Sequence, residues 1–380
     1  MNIVHVVGGF LPGGAEILVK EISKQFKDLG HNVEIWAIYS AKDIFPHEVN
    51  LIEFEKNYKK ELMEAGISFK CVGRRRPKKD RILCIKKFRQ FKKQFKPDII
   101  HVHLIGTSIY VVSAFLFDNI PIVETIHSIV LAWPRLIRFY TSKRVNKLIA
   151  ISEKVREVLI KNLKINPQKI ELIYNGIDVS KFLALNYEVR KQVTNLLAIG
   201  RLVPPKDHVT LLKAFRLFIQ KLQKQNIYEY PHLYIVGEGP LKNELYKMVK
   251  DLKIEGLVTF VGATPEVHKF LKKADIYVMS SIYEGLSISL IEALATGIPI
   301  IATNVGSNAE VVKHNETGIL IPPRDPVYLA EALYLLYFDY EARKKFSRNA
   351  KVAAKKFDLT HIATTHIELY EKLVFNNAKK

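Results

Sequence analysis

Ser281-Ile282-Tyr283-Glu284-Gly285-Leu286-Ser287-Ile288-Ser289-Leu290-Ile291-Glu292-Ala293-Leu294-Ala295-Thr296-Gly297 is the stretch on which the reading of the chain turns. Ahead of it, Ile276-Tyr277-Val278-Met279 is a short apolar run that reads as a buried strand. Behind it, Gly297-Ile298-Pro299 breaks the chain and Ile300-Ile301-Ala302 begins another strand. Between lies a loop, then a short helix starting near Ile288 or Ser289. Glu284 falls in the loop and Glu292 in the first turns of the helix. A doubly wound sheet places its ligand there, beyond the carboxyl end of a strand and facing a helix N-terminus. The free N–H groups suit a phosphate, and Glu284 could accept hydrogen bonds from sugar hydroxyls. A purely structural reading competes. Ser289 and Glu292 have the spacing of a capping box, in which Glu292 only ties down the helix start. Glu284 could be a solvated loop carboxylate.

Working outward, the 380 residues fit two or three domains. No apolar run approaches the ~20 residues of a membrane span. Met1 to Phe10 lacks the basic start and cleavage site of a signal peptide and reads as a first strand entering a glycine loop. Cys71 and Cys84 have no metal-site spacing, and reduced thiols in a cytoplasmic protein are the expectation. The formal net charge of +20 is uneven. Between Lys70 and Lys96 thirteen Lys and Arg residues face Asp80 alone. Such a block is commonly a solvated face, yet its single sign asks for an anionic partner.

Strands and helices alternate along the chain. Asn2–Val7, then the loop Gly8 to Glu16, then an amphipathic helix to about Leu29 and a strand at Val33–Ile38 form a βαβ opening. The loop is not the G-x-G-x-x-G fingerprint, but Gly13 and Gly14 let backbone approach a ligand. Further strands are expected at Ile67–Val72, Ile99–His103, Ile120–His127, Lys147–Ser152 and Glu171–Gly176, with a basic helix at Arg81–Phe95. Ser152 is a candidate cap for the helix that follows it. His101 and His103 share a strand face, and His127 ends a neighbouring strand. No acidic or cysteine partner has metal-site spacing beside them, so no metal is expected. Asp178 to Lys191 reads as a linker. A second series follows at Asn195–Ile199, His232–Val236, Val258–Gly262, Asp275–Met279 and Pro299–Ala302. Arg201 and Lys206 lie just past a strand end, where two cations can neutralise a diphosphate. Two parallel α/β units result, and the cleft between them is the default site.

The motifs, in order, resemble those of a known family. They are Gly13-Gly14-Ala15-Glu16, Asp98-Ile99-Ile100-His101-Val102-His103, Thr125-Ile126-His127, Asn175-Gly176-Ile177-Asp178, Ile199-Gly200-Arg201-Leu202 with Lys206, Val236-Gly237-Glu238-Gly239-Pro240, and Glu284 to Ala293. The chain is similar to nucleotide-sugar glycosyltransferases of the GT-B fold, in the retaining family 4. The resemblance implies an α/β chain with two Rossmann-like parallel-sheet domains facing across a cleft. It assigns residues 1–183 to the acceptor domain, 184–356 to the donor domain, and 357–380 to a helix returning to the first. It implies that Arg201 and Lys206 hold the donor diphosphate and that Glu292 binds the ribose. Glu284 would contact sugar hydroxyls, Gly285, Leu286, Ser287, Ile288 and Ser289 would cradle sugar and phosphate, and Gly14 would approach the diphosphate. His127 would lie near the reaction centre. Many members have glycine or proline where Ser287 stands, which leaves the sugar open.

The partners implied are a nucleotide-sugar donor and a glycan or lipid-linked acceptor, with no cofactor. Without a D-x-D triplet no bridging metal is indicated. The Lys70–Lys96 region is expected to dock on an anionic membrane surface at its cytoplasmic face. A GT-B sugar-nucleotide epimerase is the alternative function. A non-catalytic polyanion binder is a second, but no nucleic-acid motif accompanies the charge.

Overall fold

The computed structural model describes residues 1–11, 13–73, 80–103, 105–128 and 144–378. Arg74, Arg75, Arg76, Lys78 and Lys79 of the basic block lie outside the described residues. The chain forms two compact units, Met1–Gly176 with Leu359–Lys380, and Ile177–Asp358.

In the first unit the strands are β1 (Asn2–Gly9), β2 (Asn32–Tyr39), β3 (Ser68–Cys71), β4 (Ile99–Val102), β5 (Ile122–Ile126), β6 (Lys147–Ala150) and β7 (Ile170–Leu172). They make one parallel sheet in the order β3-β2-β1-β4-β5-β6-β7. Their near-continuous apolar runs are what a sheet covered on both faces requires. The Gly14–Asp28 helix buries Leu18, Val19, Ile22 and Phe26, and Gly30, at φ 83°, turns the chain into β2. Ser152 caps the Glu153–Lys161 helix by accepting from Val155 N at 3.1 Å. The Arg81–Phe95 helix buries Cys84, Phe88 and Phe91, with Phe88 stacked on Trp36.

Two departures from the sequence reading concern this unit. A helix at Val49–Glu64 was not anticipated, because its buried face is narrow: Tyr58 and Leu62 are its apolar anchors. The Ile105–Ala114 helix, which follows β4 and carries Gly106 in its first turn, is the second. The C-terminal helix Leu359–Ala378 lays Leu359, Ile362, Ala363, Ile367 and Tyr370 into the same core as Ile3, Phe26, Ile99 and Val123. Burying such side chains is worth roughly 1.5–3 kcal/mol each, so the helix is an integral layer of this unit.

The second unit carries β8 (Asn195–Ile199), β9 (His232–Val236), β10 (Val258–Gly262), β11 (Ile276–Met279), β12 (Ile300–Thr303) and β13 (Gly318–Ile321). They too are parallel, in the order β10-β9-β8-β11-β12-β13. Its core joins Phe215, Phe218 and Leu222 of the His208–Lys224 helix to Leu329, Leu333 and Leu336 of the Pro326–Phe338 helix.

The expected linker is ordered structure within the second unit, which begins at Ile177. Asp178 caps a short helix, Val179–Leu183, by accepting from Lys181 N at 3.1 Å. Val179 and Phe182 are buried, and this helix packs on the Ile288–Thr296 helix. At the other crossing Phe357 is fully buried and accepts from Ile177 N at 3.0 Å. No described helix is long and apolar enough to cross a membrane.

Each sheet reverses its winding once, between β1 and β4 in the first unit and between β8 and β11 in the second. Strand carboxyl ends at such a reversal splay their loops apart and leave room for a ligand.

Candidate active site

In the second unit the loops after β8 and β11 meet at that reversal. Lys206 closes the Pro204–Lys206 turn after β8, and Glu284 lies in the loop after β11. Their side chains form an ion pair, Lys206 Nζ donating to Glu284 Oε1 at 2.5 Å. Ser281 Oγ donates to the same oxygen at 2.6 Å. Among the described residues no donor reaches Oε2. Glu284 is therefore an oriented carboxylate with one face open, not a solvated loop residue.

The loops are stitched together by backbone. Ile282 N donates to Pro205 O at 2.8 Å, and Ser280 Oγ lies 3.0 Å from Lys206 O and 2.9 Å from Asp207 O. Thr303 Oγ1 at the end of β12 donates to Ser281 O at 2.6 Å. Asp207, at φ 47°, caps the His208–Lys224 helix through Thr210 N at 3.2 Å. The glycine loop after β9 closes the other side. Gly237 has φ 148°, and a Cβ there would stand 2.0 Å from Gly200 O, so only glycine permits the approach. Leu202 N then donates to Glu238 O at 2.9 Å. This fixes the backbone that carries Arg201, whose exposed guanidinium has no partner among the described residues.

The Ile288–Thr296 helix aims its N-terminus at the same place. Its N-cap is Ser287, whose side chain caps nothing. The first N–H groups of a helix lack intrahelical acceptors, so here they are available to an anion. The capping-box reading of Ser289 and Glu292 fails, because both lie inside the helix rather than at its N-cap and third position. Ser289 Oγ instead meets Tyr277 OH at 3.0 Å and Ser287 Oγ at 3.2 Å. Leu286 and Ser287 are buried, while Gly285, Ile288 and Ser289 are half-buried. Glu292 is half-buried on the face turned toward Lys181. Burial pushes its carboxyl up to about 7, against the pull of the Lys181 ammonium. Hydrogen-bond donors brought to that carboxyl favour its charged form and draw the value back down.

The remaining two candidates lie in the first unit. Gly14 is exposed as the first residue of its helix, after Gly13 in an extended conformation. His127 follows β5 and is half-buried, its Nε2 lying 3.4 Å from His103 Nδ1. His103 Nε2 in turn lies 2.8 Å from His5 Nδ1. His5 was missed in the sequence because it sits inside the apolar run of β1; parallel pairing sets it beside His101 of β4. Tyr370 OH and Thr125 Oγ1 meet the two nitrogens of His101 at 2.5 and 2.7 Å. His5, His101 and His103 place ring nitrogens within 4.8 Å of one another, the spacing of a possible metal group. Most of those nitrogens are already committed to hydrogen bonds. Burial, with mutual repulsion from the neighbouring rings, drives His101 and His103 well below the usual histidine value. It lowers His5 to about 3, and His127 and His366 to about 4. All five rings are neutral at pH 7.

A model of glycosyltransferase family 4 matches residues 12–181, and one of glycosyl transferases group 1 matches residues 182–353. An Escherichia coli UDP-Gal:alpha-D-GlcNAc-diphosphoundecaprenol alpha-1,3-galactosyltransferase is 28% identical over 65% of this chain and 68% of its own length. A Campylobacter jejuni 4-alpha-N-acetylgalactosaminyltransferase acting on N-acetylgalactosamine-N,N'-diacetylbacillosaminyl-diphospho-undecaprenol is 31% identical over 54% of this chain and 55% of its own. Among solved structures, Anabaena HepE in complex with UDP and glucose superposes with a TM-score of 0.80 at 18% identity, covering 98% of this chain and 100% of that one. The fold, two parallel Rossmann-like sheets of seven and six strands, is thus shared over nearly the full chain. The chain belongs to the GT-B glycosyltransferases, with a family 4 N-terminal half and a group 1 C-terminal half.

Proposed function

We propose that this enzyme moves a sugar from a nucleotide-diphosphate donor, a UDP-sugar by preference, to a lipid-linked glycan, retaining the anomeric configuration and without a metal. The observation that carries the reading is the convergence of Arg201, Lys206, the open face of Glu284 and an uncapped helix N-terminus at one strand reversal of the second unit. Cleaving a sugar–phosphate bond places negative charge on the leaving diphosphate. Two cations and a row of N–H groups offset that charge without reorganising, which is where electrostatic catalysis is strongest. Glu284 Oε2 is the acceptor for sugar hydroxyls, and Glu292 gains ribose hydroxyls as donors. Glu284 and Glu292 are both taken up by hydroxyls of the donor in this reading, so neither serves as a covalent nucleophile. The acceptor hydroxyl therefore attacks from the leaving-group side and passes its proton to the departing phosphate oxygen. The resemblance to the family assigns His127 to the donor sugar or the acceptor, and Gly14 to the diphosphate.

The two bacterial relatives act on diphosphoundecaprenol-linked glycans, which supports an acceptor of that class in surface polysaccharide synthesis. The basic helix supports a membrane-side location. Lys70 and Lys92 are committed to Glu34 and Asp118. Lys86, Lys93 and Lys96 stay exposed, and Ile82 on the same helix as the first two is 67% exposed. Each basic residue near an anionic surface is worth ~1 kcal/mol.

A thermal-shift screen of nucleotide sugars identifies the donor, since a ligand of the folded state raises the melting temperature. Transfer of that sugar to a polyprenyl-diphosphate glycan is then expected. An altered sugar nucleotide formed without any acceptor would instead make the protein an epimerase. Flotation with anionic liposomes but not neutral ones is expected; equal recovery in both removes the membrane claim.

A further inference from the structure

The histidines of the first unit form a row. His5 Nδ1 and His103 Nε2 are 2.8 Å apart, and His103 Nδ1 and His127 Nε2 are 3.4 Å apart. The row begins in the core, where His5 stacks on Phe26 at 5.5 Å, and ends at the half-buried His127. His127 Nδ1 meets no partner among the described residues.

We propose that His103 is a positioning residue that holds His127 in the tautomer bearing its proton on Nδ1, so that His127 meets its ligand as a neutral hydrogen-bond donor. This rests on the reading that places His127 at the reaction centre. The argument is one of proton accounting. Each neutral imidazole carries one N–H, and the hydrogen bond made by one nitrogen decides which nitrogen carries it. Burial keeps the rings neutral, as the depressed values of His5 and His127, about 3 and about 4, indicate. The row then has only two polarities.

If the row points outward, His5 Nδ1–H donates to His103 Nε2, and His103 Nδ1–H donates to His127 Nε2. The proton of His127 is then on Nδ1, facing the ligand. One buried group is unmet, the Nε2 lone pair of His5, and that atom is indeed without a partner. If the row points inward, the same atom becomes a buried N–H with no acceptor. Orphaned buried N–H groups are the rarer defect in proteins, so the outward polarity is the lower in energy. His101 does not compete for the row, since Tyr370 and Thr125 occupy both of its nitrogens. His366 is fixed separately, its Nδ1–H donating to Ile362 O at 2.8 Å.

The consequence is chemical. A neutral His127 with its proton on Nδ1 cannot take a proton through that atom. It can donate a hydrogen bond to a sugar hydroxyl or a phosphate oxygen. The acceptor proton must then leave by another route, the departing phosphate among them.

The tautomer is read directly from the histidine ring ¹⁵N signals of the wild-type chain at pH 7.5, assigned with His127→Ala. A protonated Nδ1 and bare Nε2 at His127 is the expected result. A protonated Nε2, or a charged ring, overturns the proposal. So does stoichiometric zinc found by elemental analysis in protein purified without added metal, because the row would then be a ligand set. His103→Leu should lower kcat roughly 10- to 100-fold, the usual scale for losing the partner that orients a functional histidine, with KM for the donor little changed. His103→Asn places a side-chain N–H where Nδ1 was and should recover most of that loss. Recovery no better than His103→Leu, in two variants of equal melting temperature, counts against the proposal. Full turnover by His127→Ala would instead sink the site reading itself, whatever the tautomer.

Discussion

Lys206 Nζ and Glu284 Oε1 are 2.5 Å apart although 78 residues separate them in the chain. Each is held from its own strand end, Lys206 from β8 and Glu284 from β11, and the pairing exists because those strands are neighbours in the sheet. The ammonium is only half available to a diphosphate while it serves Glu284. The carboxylate is oriented by the same contact.

Loss of either partner should therefore cost more than its own ligand contact. Glu284→Ala and Lys206→Ala are each expected to lower kcat/KM by ~10²-fold, about 2.7 kcal/mol of transition-state stabilisation. The double variant should lose much less than the product of the two, since residues in one contact are coupled. Steady-state kinetics of the four proteins checks this. Full activity in Glu284→Ala would remove Glu284 from the site.

Gly306 lies under Glu284. A Cβ at Gly306 would stand 1.9 Å from Glu284 O, and its φ of 53° is left-handed. Gly306→Ala must move the Glu284 loop. A destabilisation of roughly 1–3 kcal/mol and a loss of activity are expected together. Gly256→Ala is the control, because a Cβ there meets nothing within 4 Å. A melting curve for Gly306→Ala that overlies the control would show the contact to be soft.

Glu124 is a buried carboxyl on β5, hydrogen-bonded by Ser108 Oγ at 2.5 Å and pushed up to about 7 by burial. Its folded-state value lies above its unfolded one, so the native state keeps the proton longer. Stability from this group is full below about 4.5, falls as the pH rises to about 7, and is flat above that. Glu124→Gln keeps the shape and cannot ionise. It should be more stable than wild type at pH 8, by roughly 3 kcal/mol, and similar at pH 4.5. Denaturant melts at the two pH values decide; equal differences at both would rule the carboxyl out as the cause.

The buried histidines of the first unit have the opposite sign. His5, His101, His103, His127 and His366 all hold folded-state values below the ordinary 6.5. The unfolded chain binds protons that the native core refuses. Stability should be intact above pH 6.5 and fall as the pH drops toward 4, at up to ~1.4 kcal/mol per pH unit for each ring. His5→Phe should flatten that slope. An unchanged slope would mean that the acid sensitivity arises elsewhere.

Much of the fold was legible because its signals are local. A parallel strand covered on both faces is a short apolar run, and β4, β8 and β9 could be placed within a residue or so. Gly30 ends its helix because it lacks a Cβ, and Ser152 begins its own through its hydroxyl, so one residue type suffices in each case. What escaped is what locality cannot hold. The Val49–Glu64 helix has too few apolar anchors to announce itself. The stretch after Asp178 looks like a linker until Val179 and Phe182 are seen under the Ile288–Thr296 helix.

The same division runs through the site. By itself the sequence determined that glycine loops, Arg201 and Lys206, Glu284 and Glu292 stand at strand ends of a doubly wound chain, because strand order along the chain and residue type suffice for that. Only the tertiary structure decided what those residues do to one another. It paired Lys206 with Glu284, took Glu292 out of a capping box, and set His5 behind His103 and His127. Ion pairs and imidazole rows depend on distances of a few ångströms between residues far apart in the chain. Those distances are fixed by which strands lie side by side, a property of the sheet rather than of any stretch of sequence.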